Sequence, residues 1–97
     1  MSANNGVFIL KTKNNYRVTY CGCVESLSPD SNGKIDPIEV VDAFKNVRTT
    51  KSFETAYQIA KAMVHNSWYV EYGIKVIEYN KYWWQIERDA KLIKKGI

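Results

Sequence analysis

The sequence predicts an α+β fold: an antiparallel sheet of about four strands in the chain order strand, strand, helix, helix, strand, strand, covered by helices on one face and followed by a short C-terminal helix. Three observations predict it. Apolar residues alternate with period two toward both ends of the chain, they recur at helical spacing in the middle, and clusters of Asn, Asp, Gly and Pro separate these regions. No repeat, low-complexity tract or long linker interrupts the pattern, so residues 1–97 are read as a single domain.

The first strand is the apolar run "GVFIL" (Gly6 to Leu10), with Asn4-Asn5 before it and Lys13-Asn14-Asn15 as turn residues after it. A hairpin is expected there, and as an edge strand this run would invite pairing with another chain. The second strand, "YRVTYCGCVE", sets Tyr16, Val18, Tyr20, Gly22 and Val24 on one face and Arg17, Thr19, Cys21, Cys23 and Glu25 on the other. The first set is expected to face the core.

Ser28 to Glu39, "SPDSNGKIDPIE", is similar to the twelve-residue loop of an EF-hand. Asp30, Asn32, Gly33, Ile35, Asp36 and Glu39 stand at the third, fifth, sixth, eighth, ninth and twelfth loop positions, while Ser28 replaces the first carboxylate. An EF-hand needs a helix on each side of its loop, and the residues before Ser28 alternate as a strand does. The stretch is therefore read as a tight turn at Asn32-Gly33 followed by a helix start, with Asp36 as N-cap, Pro37 at the first helical position and Glu39 completing a capping box. No metal is expected.

The helix from Pro37 to about Asn46 places Val40, Val41 and Phe44 in a stripe. A second helix, from near Ser52 to near Asn66, puts Phe53, Ala56, Tyr57, Ala60, Met63 and Val64 on one side. From Trp68 the period returns to two, with Val70, Tyr72, Ile74 and Val76 opposite Glu71, Lys75, Ile77 and Tyr79, and a bulge is expected at Gly73. After a turn at Asn80-Lys81, the β-prone "YWWQIE" predicts a strand to about Glu87 with Tyr82, Trp84 and Ile86 inward, then a basic helix. A helix from Lys81 competes with that strand, because Ile86, Ala90, Ile93 and Ile97 keep helical spacing and Glu87 with Lys91 is a favourable pair.

At 45% hydrophobic and 25% charged, with three Trp and seven Tyr, the chain has the composition of a folded domain rather than a disordered one. The start "MSANNGVFIL" lacks the basic region and cleavage site of a signal peptide, and no apolar run reaches the length of a membrane span. A cytoplasmic or nuclear protein is expected. The net charge of +4 permits attraction to nucleic acid without requiring it.

Cys21-Gly22-Cys23 and the lone His65 fall short of the four ligands of a structural zinc site, and the cysteines lack the two-residue spacer of a redox pair. No nucleophile elbow, metalloprotease helix or phosphate-cradling glycine loop occurs. No catalytic residue, cofactor or small-molecule substrate is expected. Glu71 and Glu78 are the carboxylates that folding would have to bring together for acid–base chemistry.

The residues that stand out are Tyr79, Trp83 and Trp84, followed by Arg88, Lys91, Lys94 and Lys95. On a sheet with one uncovered face, Arg17, Thr19, Cys21, Lys75, Tyr79 and Trp83 would be exposed together, and aromatic patches make favoured interface cores. The expected function is a small non-catalytic protein–protein interaction module that forms a homo-oligomer or acts as an adaptor subunit. The alternative is binding of single-stranded nucleic acid, RNA in particular, with rings as stacking platforms and the C-terminal cations pairing phosphates.

Overall fold

Val7, Phe8, Ile9 and Leu10 are apolar at both parities of a strand, so neither face of that strand can be left in water. The computed structural model, which describes residues 4–28, 35–66, 70–78 and 82–96, shows how both are covered. Strand β1 (Gly6–Lys11) lies inside a four-stranded sheet that also contains β2 (Tyr16–Cys21), β3 (Arg48–Thr50) and β4 (Ile74–Glu78), in the order β3-β2-β1-β4. Helices α1 (Pro37–Phe44) and α3 (Trp83–Lys94) pack together on one face, and α2 (Phe53–Asn66) packs on the other.

Each face has its own core. Phe8 and Leu10 join Val24, Leu27, Ile35, Val40, Phe44, Ile77 and Ile86 beneath α1 and α3. Val7 and Ile9 join Val18, Ala56 and Ala60 beneath α2. The protein is thus α+β, with four strands and three α-helices among the described residues, but helices cover both faces, not one. "GVFIL" is central rather than an edge.

The sheet is mixed. β1 pairs antiparallel with β2, which pairs antiparallel with β3, while β1 and β4 are parallel. The cause is the β3 segment that the sequence reading missed: three residues are too few to show period two. With β3 placed, the chain contains a strand–helix–strand unit, in which α2 carries the chain back about 21 Å. β4 therefore runs in the direction of β3 and of β1, as crossover connections require. The order strand, strand, helix, strand, helix, strand, helix replaces the expected one.

Several boundaries move for identifiable reasons. β2 stops at Cys21, and Val24–Ser26 form a 3-10 turn in place of the expected extension to Glu25. Tyr20, expected inward, is exposed and accepts a 2.8 Å hydrogen bond on its hydroxyl from Asn5 Nδ2. α1 begins at the expected residue, with the Asp36 carboxylate accepting from the Ile38 N–H at 2.9 Å and Pro37 at the first position, but the cap rests on Asp36 and not on a box completed by Glu39. It ends at Phe44, shortly before Asn46 takes the left-handed conformation at φ 59°.

β4 starts at Ile74 rather than near Trp68, because Gly73 adopts φ 64° and breaks the extended run that a bulge would have continued. The strand expected at residues 82–87 is the start of α3, the competing reading. The turns expected at Asn32-Gly33 and Asn80-Lys81, and Asp30 of the loop similar to an EF-hand, lie outside the described residues.

Candidate functional site

Helix α3 starts where the backbone of Tyr82 is extended: its C=O accepts from the N–H of Gln85 at 2.9 Å and of Ile86 at 3.1 Å, and its own N–H donates to Gln85 Oε1 at 3.3 Å. These bonds occupy backbone groups that a helix start otherwise leaves unpaired. Ile86 and Ala90 are buried and half-buried Trp83 packs against the same core, so the spacing of three and four between them fixes the inner face of the helix. Trp84, Arg88, Lys91 and Lys95 then share the outer face at spacings of four, three and four.

Adjacent tryptophans consequently have opposite roles. Trp83 lies over β2, where the Arg17 guanidinium carbon sits 3.9 Å from its ring centroid and Arg17 Nη1 donates to the Phe44 carbonyl at 3.3 Å. Burial pushes the Arg17 guanidinium below its ordinary pKa and Glu87 works in the other direction, while Arg17 Nε is buried with no hydrogen-bond partner among the described residues. The face on which Arg17, Thr19, Cys21 and Trp83 were expected in solvent is the one that α1 and α3 cover.

Trp84, by contrast, is 57% exposed. Its ring is 6.4 Å from that of Tyr82 and 5.5 Å from the Arg88 guanidinium, and Lys13 Nζ from the first hairpin lies 4.5 Å from the Tyr82 ring. Cation, ring, ring and cation follow one another across the surface. Lys91 and Lys95 continue this stripe, but Lys94 turns aside to Asp42 at 3.2 Å. Tyr79 lies outside the described residues.

A second surface, not anticipated, flanks β4. One helix is about 10 Å wide and four strands span roughly 14 Å, so α2 alone cannot cover its face of the sheet. It sits over β1 and β2. An open cavity of about 470 Å³ remains between α2 and the β4 side, lined by Tyr57, Lys61, Val64, His65, Gly73 and Ile74. Tyr57 (41% exposed) puts apolar surface on its rim, and Val76 (47%) follows Ile74 on the same face of β4. Tyr57 shares the helical period of Ala56 and Ala60, yet it is exposed while they are buried. The signal available in the sequence was the ratio of one helix to that sheet face, legible only once the helices were divided between two faces.

β4 is also the outer strand on that side, and a cleft of about 320 Å³ runs along it, formed with Phe8, Leu27 and Ser28. Other candidates separate. Glu71 accepts from the Asn4 N–H at 2.6 Å, while Glu78 meets Lys11 at 3.9 Å at the far end of β4, so the fold does not join the two carboxylates. Cys21 and Cys23 are free thiols, with Cys21 Sγ donating to the Cys23 carbonyl. Among the described residues no cluster of three or more metal-binding side chains occurs, and no helix is long and apolar enough to cross a membrane.

Fold and surface together define a small α+β domain with a mixed sheet and two aromatic surfaces on different elements. Comparisons with protein-family models, with curated proteins and with solved structures find no match for it.

Proposed function

We propose that this chain is a small non-catalytic protein–protein interaction module that self-associates or serves as an adaptor subunit, and that its contact surface is the β4 side of the α2-covered face. The supporting observation is the apolar surface of Tyr57, Ile74 and Val76 beside a β4 edge that pairs with no other strand among the described residues. Exposed aromatic and aliphatic side chains around a concavity are the usual core of a protein interface. An unpaired edge adds main-chain donors and acceptors to the same place.

Light scattering behind size-exclusion chromatography, at low and high salt, tests this reading. A mass that is a multiple of 11.2 kDa and survives high salt supports self-association through an apolar surface. A monomer at every concentration removes the self-associating form and leaves the adaptor form to be tested with a partner.

The run Lys13, Tyr82, Trp84 and Arg88 favours a second reading, contact with single-stranded nucleic acid. Two neighbouring rings between cations provide stacking platforms next to phosphate partners, and Lys91 and Lys95 extend the positive stripe along α3. Fluorescence anisotropy with a labelled single-stranded RNA tests it. Binding that falls steeply with salt and is lost when Arg88, Lys91 and Lys95 are changed to Glu supports it. Binding unaffected by that triple reversal overturns it.

A further inference from the structure

The β4 edge has a definite hydrogen-bonding polarity. The Val7 N–H donates to the Gly73 carbonyl at 2.8 Å, and Val7 is the register partner of Ile74. In a parallel pair such a residue bonds to the two neighbours of its partner, so Gly73, Lys75 and Ile77 turn their backbone groups toward β1. Ile74, Val76 and Glu78 turn theirs to the free edge.

Resting on the self-associating form of the reading above, we propose that two copies of this chain pair their β4 strands antiparallel, with Val76 opposite the partner's Val76 on the two-fold axis, to make one continuous eight-stranded sheet. A two-fold axis normal to the sheet keeps each residue on its own face and allows three nearby registers. Centring on Val76 gives three hydrogen-bonded pairs, Ile74 with Glu78, Val76 with Val76 and Glu78 with Ile74, or about six N–H···O=C bonds. Centring on Lys75 or on Ile77 leaves about four. The Lys75 register also sets two ammonium groups directly opposite each other, which is destabilising.

Charge favours the same register. Each Glu78 arrives opposite the partner's Ile74, and Ile74 lines the same cavity as Lys61 and His65. The partner's carboxylate thus meets the cavity wall that carries the Lys61 ammonium. The two Val76 side chains, each half-exposed in the single chain, cover one another.

The experiment is a cysteine scan of residues 74–78, one position at a time, in the full chain with Cys21→Ser and Cys23→Ser, under mild oxidation. In a hydrogen-bonded antiparallel pair the Cα atoms are about 5.5 Å apart, within disulfide reach. Val76→Cys is expected to cross-link as the dominant species, while Ile74→Cys and Glu78→Cys stay uncross-linked, their copies being about 13 Å apart along the strand. Cross-linking strongest at Lys75→Cys or Ile77→Cys overturns the register. Val76→Pro, which removes an edge-facing N–H and leaves the bonds to β1, is expected to return the protein to monomer with an unchanged far-ultraviolet circular dichroism spectrum. A dimer by light scattering that keeps its mass in Val76→Pro overturns the strand pairing and spares the interaction reading. A monomer at all concentrations overturns both the pairing and self-association, and points to an extended segment of another protein as the occupant of the edge.

Discussion

The Arg17 guanidinium lies 3.9 Å from the centroid of the Trp83 ring and donates to the carbonyl of Phe44, so one side chain of β2 touches both the first residue of α3 and the last of α1. A planar cation is required for this. Arg stacks flat on an indole and keeps a donor at its rim, whereas an ammonium on a flexible stem does one or the other. Arg17→Lys is expected to lower unfolding stability by about 1 kcal/mol in urea titrations. The folded-state pKa of Arg17 is lowered, so the cost of burying the cation is present below that pKa and is relieved only as pH rises through it. The wild type and the variant should therefore differ equally at pH 6 and pH 8, and a difference that grows between them would contradict this account.

Asp36 absorbs the sharpest motif in the sequence. Its carboxylate accepts from the Ile38 N–H at 2.9 Å, which satisfies a donor that the start of α1 would otherwise leave unpaired. Asp36→Ala should cost about 1 kcal/mol, and Asp36→Asn, which keeps an accepting oxygen, only a small part of that. Thermal melts with calcium and with a chelator should superimpose for the wild type. A midpoint raised by calcium would assign the carboxylate to a metal instead of a helix end.

The helical middle of the chain was legible because caps and periodicity agreed there: Asp36-Pro37 marks the start of α1, and Ala56 and Ala60 mark the inner face of α2. The two-sided burial of β1 is also written in four consecutive apolar residues, which an antiparallel sheet covered on one face alone would not accommodate. Two features were not legible. β3 is three residues long with a register set by β2, and the parallel pairing of β4 depends on β3. "YWWQIE" has strong strand preference, yet Ile86 and Ala90 bury a helical face against α1, and tertiary packing overrides propensity.

The candidate site divides along the same line. A strand over residues 82–87 turns Trp84 inward and Trp83 to the uncovered face, whereas the helix does the reverse, half-burying Trp83 and exposing Trp84. The cavity beside β4 had no signature of its own, since Tyr57 and Ile74 each belong to an ordinary amphipathic pattern. Only the number of helices on each face reveals it.

Gly73 is the point at which the chain is set into β4. Its φ of 64° lies in the left-handed region, and a Cβ there would meet no atom within 4 Å. Gly73→Ala should therefore carry a backbone cost alone, about 1 kcal/mol, with no steric addition. Urea titration of the variant measures it. A loss several times larger would mean that the direction in which β4 leaves this turn is more tightly determined than the local conformation implies.

The two tryptophans separate folding from binding. Trp83 is half-buried against the core under α1 and α3, so Trp83→Ala should remove about 2 kcal/mol, less than the roughly 3–5 kcal/mol of a fully enclosed ring. Any loss of binding in that variant is entangled with loss of structure. Trp84 is 57% exposed on the outer face of α3, and Trp84→Ala should leave stability within about 0.5 kcal/mol of the wild type. Removing its ring breaks the run from Tyr82 to Arg88, so an RNA that stacks there should bind at least about fivefold more weakly, the low end of the roughly 1–3 kcal/mol that stacking contributes per base. Self-association through β4 should be unchanged in Trp84→Ala, because the helix lies on the other face of the sheet from Val76. If light scattering shows this variant to be monomeric where the wild type is a dimer, the self-association surface is on α3 and the assignment to β4 is wrong.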